Sequence, residues 1–205
     1  QLLGTALGII VPGGFGERGL EGMIAAANYA RKAQVPYLGL CLGMQIMVVE
    51  YARNELGIAD ATSLEIDPNA ANPVIAFMEG QEDLSATGGT MRLGAYPCVL
   101  KEGTQGRAAY ESETVDERHR HRYEFNNEYR IPLEEAGLVA SGTSPDGSLV
   151  EVTEVYGHPF MVGSQFHPEF GSRPERPHPL FKEFIRVARN TLREGSQHDF
   201  FEEEV

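Results

Sequence analysis

Tryptophan is absent from this 205-residue chain, and cysteine occurs only twice, at Cys41 and Cys98. Two cysteines exclude a disulfide framework and fit a reducing, cytoplasmic setting. No apolar run reaches the roughly 18 residues that would span a bilayer, and the first residues do not read as a secretory leader. Basic residues are scarce: 17 Lys and Arg stand against 30 Asp and Glu, a net charge of −13. That balance argues against the basic footprint of a nucleic-acid binder and against an anionic membrane surface. What remains is ample apolar content, 41%, with no repeat, linker or break in composition. A single domain over residues 1–205 is the simplest expectation. The chain starts at Gln1 and enters an apolar run almost at once, which reads as part of a longer polypeptide. Its acidic end, residues 195–205, is expected to fray.

The apolar patterning begins as alternating strands and helices. Residues 6–11 form a continuous apolar run closed by Pro12-Gly13-Gly14, the signature of a buried parallel strand. Residues 20–34 read as a helix, 36–40 as a strand and 42–56 as a helix, with Gly57 as its C-cap. This order predicts an α/β fold: an open, mostly parallel sheet flanked by helices, with extra antiparallel strands from the later segments. Residues 58–90 look loop-rich apart from a short run at 74–77. Further strands are expected at 91–100, 138–142, 148–156 and 160–166, with Ser144-Pro145-Asp146-Gly147 as a turn. An apolar stripe predicts a helix over 179–193.

The chemistry concentrates at Gly39-Leu40-Cys41-Leu42-Gly43. Small residues on both sides of a cysteine, between a strand and a helix, permit a sharp turn that exposes one side chain, as in a nucleophile elbow. The helix sets the positive end of its dipole beneath that side chain. Against this stands the plain alternative that Cys41 is a small core residue. A thiol nucleophile needs a base and the base needs an orienting group. His167 and Glu169 supply both types two residues apart, at the end of the 160–166 strand. Pro168 biases His167 toward an extended backbone, which would put the two side chains on one side. Oxyanion donors are offered by the amide of Leu42 and by the loop Gly13-Gly14-Phe15-Gly16, whose plain reading as a tight strand–helix turn is compatible with that role. A phosphate loop is a poor one, since G-x-G-x-x-G spacing and a Lys-Ser/Thr pair are both missing. The basic island Arg118-His119-Arg120-His121-Arg122-Tyr123 would, as a strand, place its Arg on one face and its His on the other. It reads as salt bridging to Glu111, Glu113, Asp116 and Glu117, with one Arg left to hold a carboxylate; zinc and nucleic acid fit less well.

Taken together, PGGFGERGLEGMI (12–24), PYLGLCLGMQ (36–45), GGTMRLG (88–94), ERHRHRYEFNN (117–127) and QFHPEF (165–170) make the chain resemble the glutaminase domain of the CTP synthase family, a triad-type (class I) glutamine amidotransferase domain. The resemblance runs over nearly the whole chain and is weakest at 1–6, 58–87 and 195–205. It implies that Cys41 is the nucleophile, His167 the base and Glu169 its orienting carboxylate. It implies that Gly14 and Leu42 form the oxyanion hole and, with Gly43, Met44 and Gln45, one wall around glutamine. Glu65 would hold the α-amino group and Arg122 the α-carboxylate. The reaction implied is hydrolysis of L-glutamine to glutamate and ammonia through a γ-glutamyl thioester, with no metal. In the family the ammonia passes to an N-terminal synthase domain that uses ATP and Mg²⁺ to aminate UTP to CTP, usually in a homotetramer, with GTP as activator. That domain and the first strand–helix segment of the glutaminase domain are not among these residues. The stretch between Phe77 and Gly88 also looks shorter than the family's, which puts the GTP response in question. Another Cys-His-Glu hydrolase of the same fold, a peptidase or a γ-glutamyl hydrolase, and an inactive fragment are the alternatives.

Overall fold

In the computed structural model, which describes residues 3–77 and 91–190, strands and helices alternate up to residue 54 and hairpins dominate thereafter. In chain order the elements are β1 (Ile9–Val11), α1 (Leu20–Ala33), β2 (Tyr37–Leu40), α2 (Leu42–Asn54), β3 (Thr62–Ser63), β4 (Pro73–Phe77), β5 (Arg92–Leu100) and α3 (Gln105–Tyr110). They continue as β6 (Thr114–His121), β7 (Tyr123–Phe125), α4 (Arg130–Ala136), β8 (Leu138–Thr143), β9 (Val150–Val155), β10 (Met161–Ser164), α5 (Pro168–Gly171) and α6 (Pro179–Asn190). The main sheet has seven strands in the order β1-β2-β10-β9-β8-β5-β6, and a small sheet joins β3-β4-β7.

The extra antiparallel strands outnumber the parallel ones. Only β1–β2 and β2–β10 pair in parallel within the main sheet. The pairings of β10 with β9, β9 with β8, β8 with β5 and β5 with β6 are antiparallel, so the sheet is mixed. The reason is connection length. A parallel pair needs a helical crossover, which only the first part of the chain supplies. The turn at residues 144–147 instead folds β8 back on β9: the Gly147 amide donates to Ser144 O at 2.8 Å, and Gly147 takes φ 74°.

The sheet packs on both faces, and side-chain alternation sorts the two cores. Tyr37 and Met161 join α1 and α2 in one cluster, whereas Leu38, Leu40 and Val162 meet Leu180 and Phe184 of α6 in the other. α2 is buried from Leu42 to Ala52, because the main sheet covers one side and β3, β4 and β7 the other. Its charged residue Glu50 is fully buried and answered by Arg31 of α1 at 2.8 Å and by Asn28 at 2.7 Å.

Several boundaries differ from expectation. β1 covers only residues 9–11, with Ile9 and Val11 buried and Ile10 exposed. α2 ends at Asn54 with Glu55 as its cap, and Gly57 takes φ 71° two residues later. The expected helix over 179–193 is described to Asn190. The frayed tail at 195–205 and the shortened stretch before Gly88 lie outside the described residues. Helices α3 and α4 carry signals that the apolar pattern hides. Thr104 caps α3 by accepting from the Arg107 amide, and Gly137 closes α4 at φ 109°.

Candidate active site

β2 and α2 are joined by one residue, and that residue is Cys41. Its backbone, φ 51° and ψ −102°, is one that residues with side chains rarely adopt. Close packing on either side enforces it. A Cβ at Gly39 would lie 2.5 Å from Gly43 C and O, and a Cβ at Gly43 would lie 2.1 Å from Val11 O. The Cys41 amide donates to Ser164 O at 2.7 Å, which fixes the elbow to the end of β10. Cys41 O accepts the amides of Met44 and Gln45, so the Leu42 and Gly43 amides open the helix without intrahelical acceptors.

His167 and Glu169 meet this elbow, but not along an extended strand. β10 stops at Ser164, and Pro168 starts the short helix α5, so Glu169 sits in a helical first turn. His167 itself stays outside the helical region at φ −111° and ψ 86°, as a residue before proline should. Its Nδ1 lies 2.7 Å from Glu169 Oε1. Phe170 stacks on the ring at 4.8 Å. A carboxylate on Nδ1 fixes the proton there and leaves Nε2 as the basic nitrogen. Nε2 is buried and makes no hydrogen bond among the described residues. Burial alone disfavours the imidazolium, but the Cys41 sulfur and then the Glu169 carboxylate outweigh it and push the pKa up to about 10. The same contact holds Glu169 below its ordinary value, against the opposing effect of burial. The loop after β1 closes over this pair: a Cβ at Gly13 would sit 2.9 Å from His167 Cε1 and 3.5 Å from Cys41 Cβ.

A cavity of about 170 Å³ opens beside the thiol, lined by Gly14, Phe15, Cys41, Gln45, Glu65, Met91, His121, Arg122 and Tyr123. Five of the residues singled out in the sequence therefore share one wall: Gly14, Cys41, Gln45, Glu65 and Arg122. Glu65 Oε1 accepts the Gly16 amide at 3.0 Å, which ties the loop after β3 to the loop after β1. Arg122 Nε is buried with no protein partner among the described residues. Leu42 packs against Gly14, with 3.2 Å between Leu42 Cδ2 and the position of a Gly14 Cβ. Gly43 and Met44 do not line the cavity; the Met44 side chain packs into the core under Gly163.

The basic island divides as a strand should. Arg118 and Arg120 are exposed on β6, and His119 and His121 are buried. No ion pair among the described residues joins the three Arg to Glu111, Glu113, Asp116 or Glu117, and Glu117 instead meets His178 at 2.8 Å. His119 Nδ1 and His121 Nε2 lie 2.8 Å apart, and His121 Nδ1 faces the Tyr123 carbonyl at 3.2 Å. Burial and then the Arg92 guanidinium push these imidazoles down to about 2 and about 3, so both are neutral. Arg92 reaches Glu151 at 2.6 Å and Glu124 at 3.7 Å in the same buried cluster. Met91, His121 and Tyr123 line the cavity without a site signal of their own in the sequence, because only the folded ends of β5, β6 and β7 bring them there; Phe170 reaches the site from α5, against the His167 ring.

A family model described as class-I glutamine amidotransferase matches residues 2–187. The chain belongs to that family. Its curated relatives include the CTP synthases of Dehalococcoides mccartyi, 60% identical over 93% of this chain, and of Shouchella clausii, 62% identical over 92%. The chain spans 35% of the length of each. Among solved structures it matches the glutaminase domain of Trypanosoma brucei CTPS with bound acivicin, at TM-score 0.87 and 39% identity, covering 94% of this chain and 74% of that one. A glutamine amidotransferase from Methylobacillus flagellatus shares the fold at TM-score 0.53 and 13% identity, covering 94% of this chain and 61% of that one. No helix among the described residues is long and apolar enough to cross a membrane.

Proposed function

We propose that this chain is the glutaminase unit of a cytoplasmic CTP synthase, hydrolysing free L-glutamine to glutamate and ammonia. The observation that carries the reading is what one cavity brings together. It sets a strained thiol with its His–Glu partner beside a carboxylate and a guanidinium whose Nε has no protein partner among the described residues. Glu65 suits the α-ammonium of glutamine and Arg122 its α-carboxylate. His167 Nε2, its pKa raised beside the sulfur, already holds the proton taken from Cys41, and the sulfur attacks the side-chain amide carbon. The Leu42 and Gly14 amides stabilise the oxyanion; Gln45 completes that wall, with Gly43 and Met44 behind it. His167 then returns the proton to the leaving nitrogen, which departs as ammonia and leaves a γ-glutamyl thioester. Water, deprotonated by His167, attacks the thioester carbon; the sulfur leaves, takes back a proton, and glutamate is released. Every proton in this cycle is handled by a residue of the chain.

The Gly13–Gly16 loop closes on His167 and Cys41, and among the described residues no lysine lines the cavity beside it, so it does not suit the phosphates of ATP. That chemistry, UTP amination, tetramer assembly and the GTP response are assigned to the intact synthase. The small cavity favours a free amino acid over a peptide, since pockets for larger ligands run to about 300–1,000 Å³. The test is direct. The chain should release ammonia from glutamine, and a glutamine chloroketone should alkylate Cys41. Arg122→Ala should raise KM roughly tenfold to a hundredfold, with a smaller effect on kcat. An adduct on Cys98 alone would count against this reading, and glutamine turnover indifferent to Arg122→Ala would favour the peptidase or γ-glutamyl hydrolase reading.

A further inference from the structure

Behind the cavity lies a chain of side-chain amides whose directions are all set by one carbonyl. Gln45 Nε2 lies 3.1 Å from Tyr123 O and 3.2 Å from Gln165 Oε1, and Gln165 Nε2 lies 3.7 Å from Cys41 Sγ. A main-chain carbonyl can only accept, so Gln45 must turn its NH₂ toward Tyr123. The same NH₂ faces Gln165, which must answer with its oxygen. The NH₂ of Gln165 is then left with no direction but the sulfur. The opposite flip of either amide would set like against like. Gln165 is fully buried, and its backbone N–H donates to Glu151 O at 2.8 Å, which holds its main chain beside the elbow.

We infer that Gln165 is a positioning residue for the nucleophile, holding an N–H donor on Cys41 Sγ in an orientation fixed through Gln45 by the Tyr123 carbonyl. The sulfur thus has two partners with different tasks. His167 exchanges its proton; Gln165 holds it in place and stabilises the negative charge it carries when it attacks. The link also couples recognition to reactivity, because Gln45 and Tyr123 line the cavity that Gln165 does not enter.

Two variants separate donation from packing. Gln165→Glu keeps the shape, still accepts from Gln45, and puts an acceptor on the sulfur; Gln165→Leu removes both hydrogen bonds. Reaction of Cys41 with iodoacetamide, followed by peptide mass spectrometry, needs no glutamine. Its rate should fall roughly tenfold to a hundredfold in both variants. The kcat for glutamine hydrolysis should fall by a similar factor with KM within about threefold of the original, an arm that alone rests on the glutaminase reading. An alkylation rate unchanged in Gln165→Glu, or a loss confined to KM, overturns the proposal. If the chain as a whole fails to hydrolyse glutamine, the glutaminase reading falls while alkylation still decides the role of Gln165. Should neither variant fold, the original chain answers by NMR. The Gln165 side-chain amide signals should move when Cys41 is alkylated, and signals that stay put overturn the assignment.

Discussion

Gly43→Ala is a one-methyl change whose effect can be worked from the geometry of the elbow. The new Cβ would lie 2.1 Å from Val11 O, where a contact under 3.0 Å forces something to shift, so β1 and the start of α2 must separate by roughly 0.9 Å. Neither neighbour is a flexible side-chain tip; both are backbone. Ala in place of Gly would by itself favour the helix by about 1 kcal/mol, and forced overpacking costs about 1–3 kcal/mol or more. The net expectation is a loss of up to about 2 kcal/mol, or up to roughly 8 °C in Tm at this chain length. The loss of activity should be larger than the loss of stability. Val11 leads directly into the Gly13-Gly14 loop, so the shift moves Gly14 away from Leu42 and Gly13 off His167. A displacement near 1 Å costs a catalyst on the order of a hundredfold. Ammonia release and thermal melting are measured side by side, with Gly22→Ala as the control. Gly22 lies in α1 with a conventional backbone and nothing within 4 Å of its Cβ position, so that variant should gain up to about 1 kcal/mol and keep full activity. A Gly43→Ala chain with unchanged Tm and turnover would refute the close-approach account of the elbow.

Two further perturbations probe buried charge. Burial and then Glu151 push Glu124 up to about 8 despite Arg92, above the ordinary carboxylate value near ~4.3. A raised acid stabilises fully below the unfolded value and loses that contribution as pH climbs to the folded one. Relative to the original chain, Glu124→Gln should therefore gain stability between pH 5 and 8, on the order of 1 kcal/mol per pH unit; urea midpoints whose difference is flat or reversed across that range would contradict the sign. Arg31→Met strands the fully buried Glu50 with only amide partners and should cost about 3–5 kcal/mol, part of which a second change, Glu50→Gln, should restore in thermal melts.

The elbow is legible in the sequence because its requirements are local. Two glycines, a cysteine and the switch from a strand to a helix lie within five residues. The His-Pro-Glu segment is local too, although Pro168 used its fixed φ to start a helix rather than to prolong a strand. Glu65 carried no local signal and entered only through the likeness to a family; the basic island pointed to one carboxylate-holding Arg, and the likeness singled out Arg122. Their convergence depends on where β3 and β6 end in space. Among the antiparallel strands β6 was the hardest to read, since it buries His119 and His121 and exposes Arg118 and Arg120, and polar residues on both faces blur the period on which strand recognition rests.

The sequence by itself determined which atoms can do chemistry here: a thiol at a turn too tight for most side chains, and an imidazole with a carboxylate two residues on. The tertiary structure decided which atoms face them. Gln165 stands 124 residues from Cys41, and Tyr123 stands 78 from Gln45, yet one carbonyl orients both amides. No pattern in a chain encodes such a direction. A buried donor must find an acceptor, and only the packed register of β2, β7 and β10 determines which acceptor is within reach.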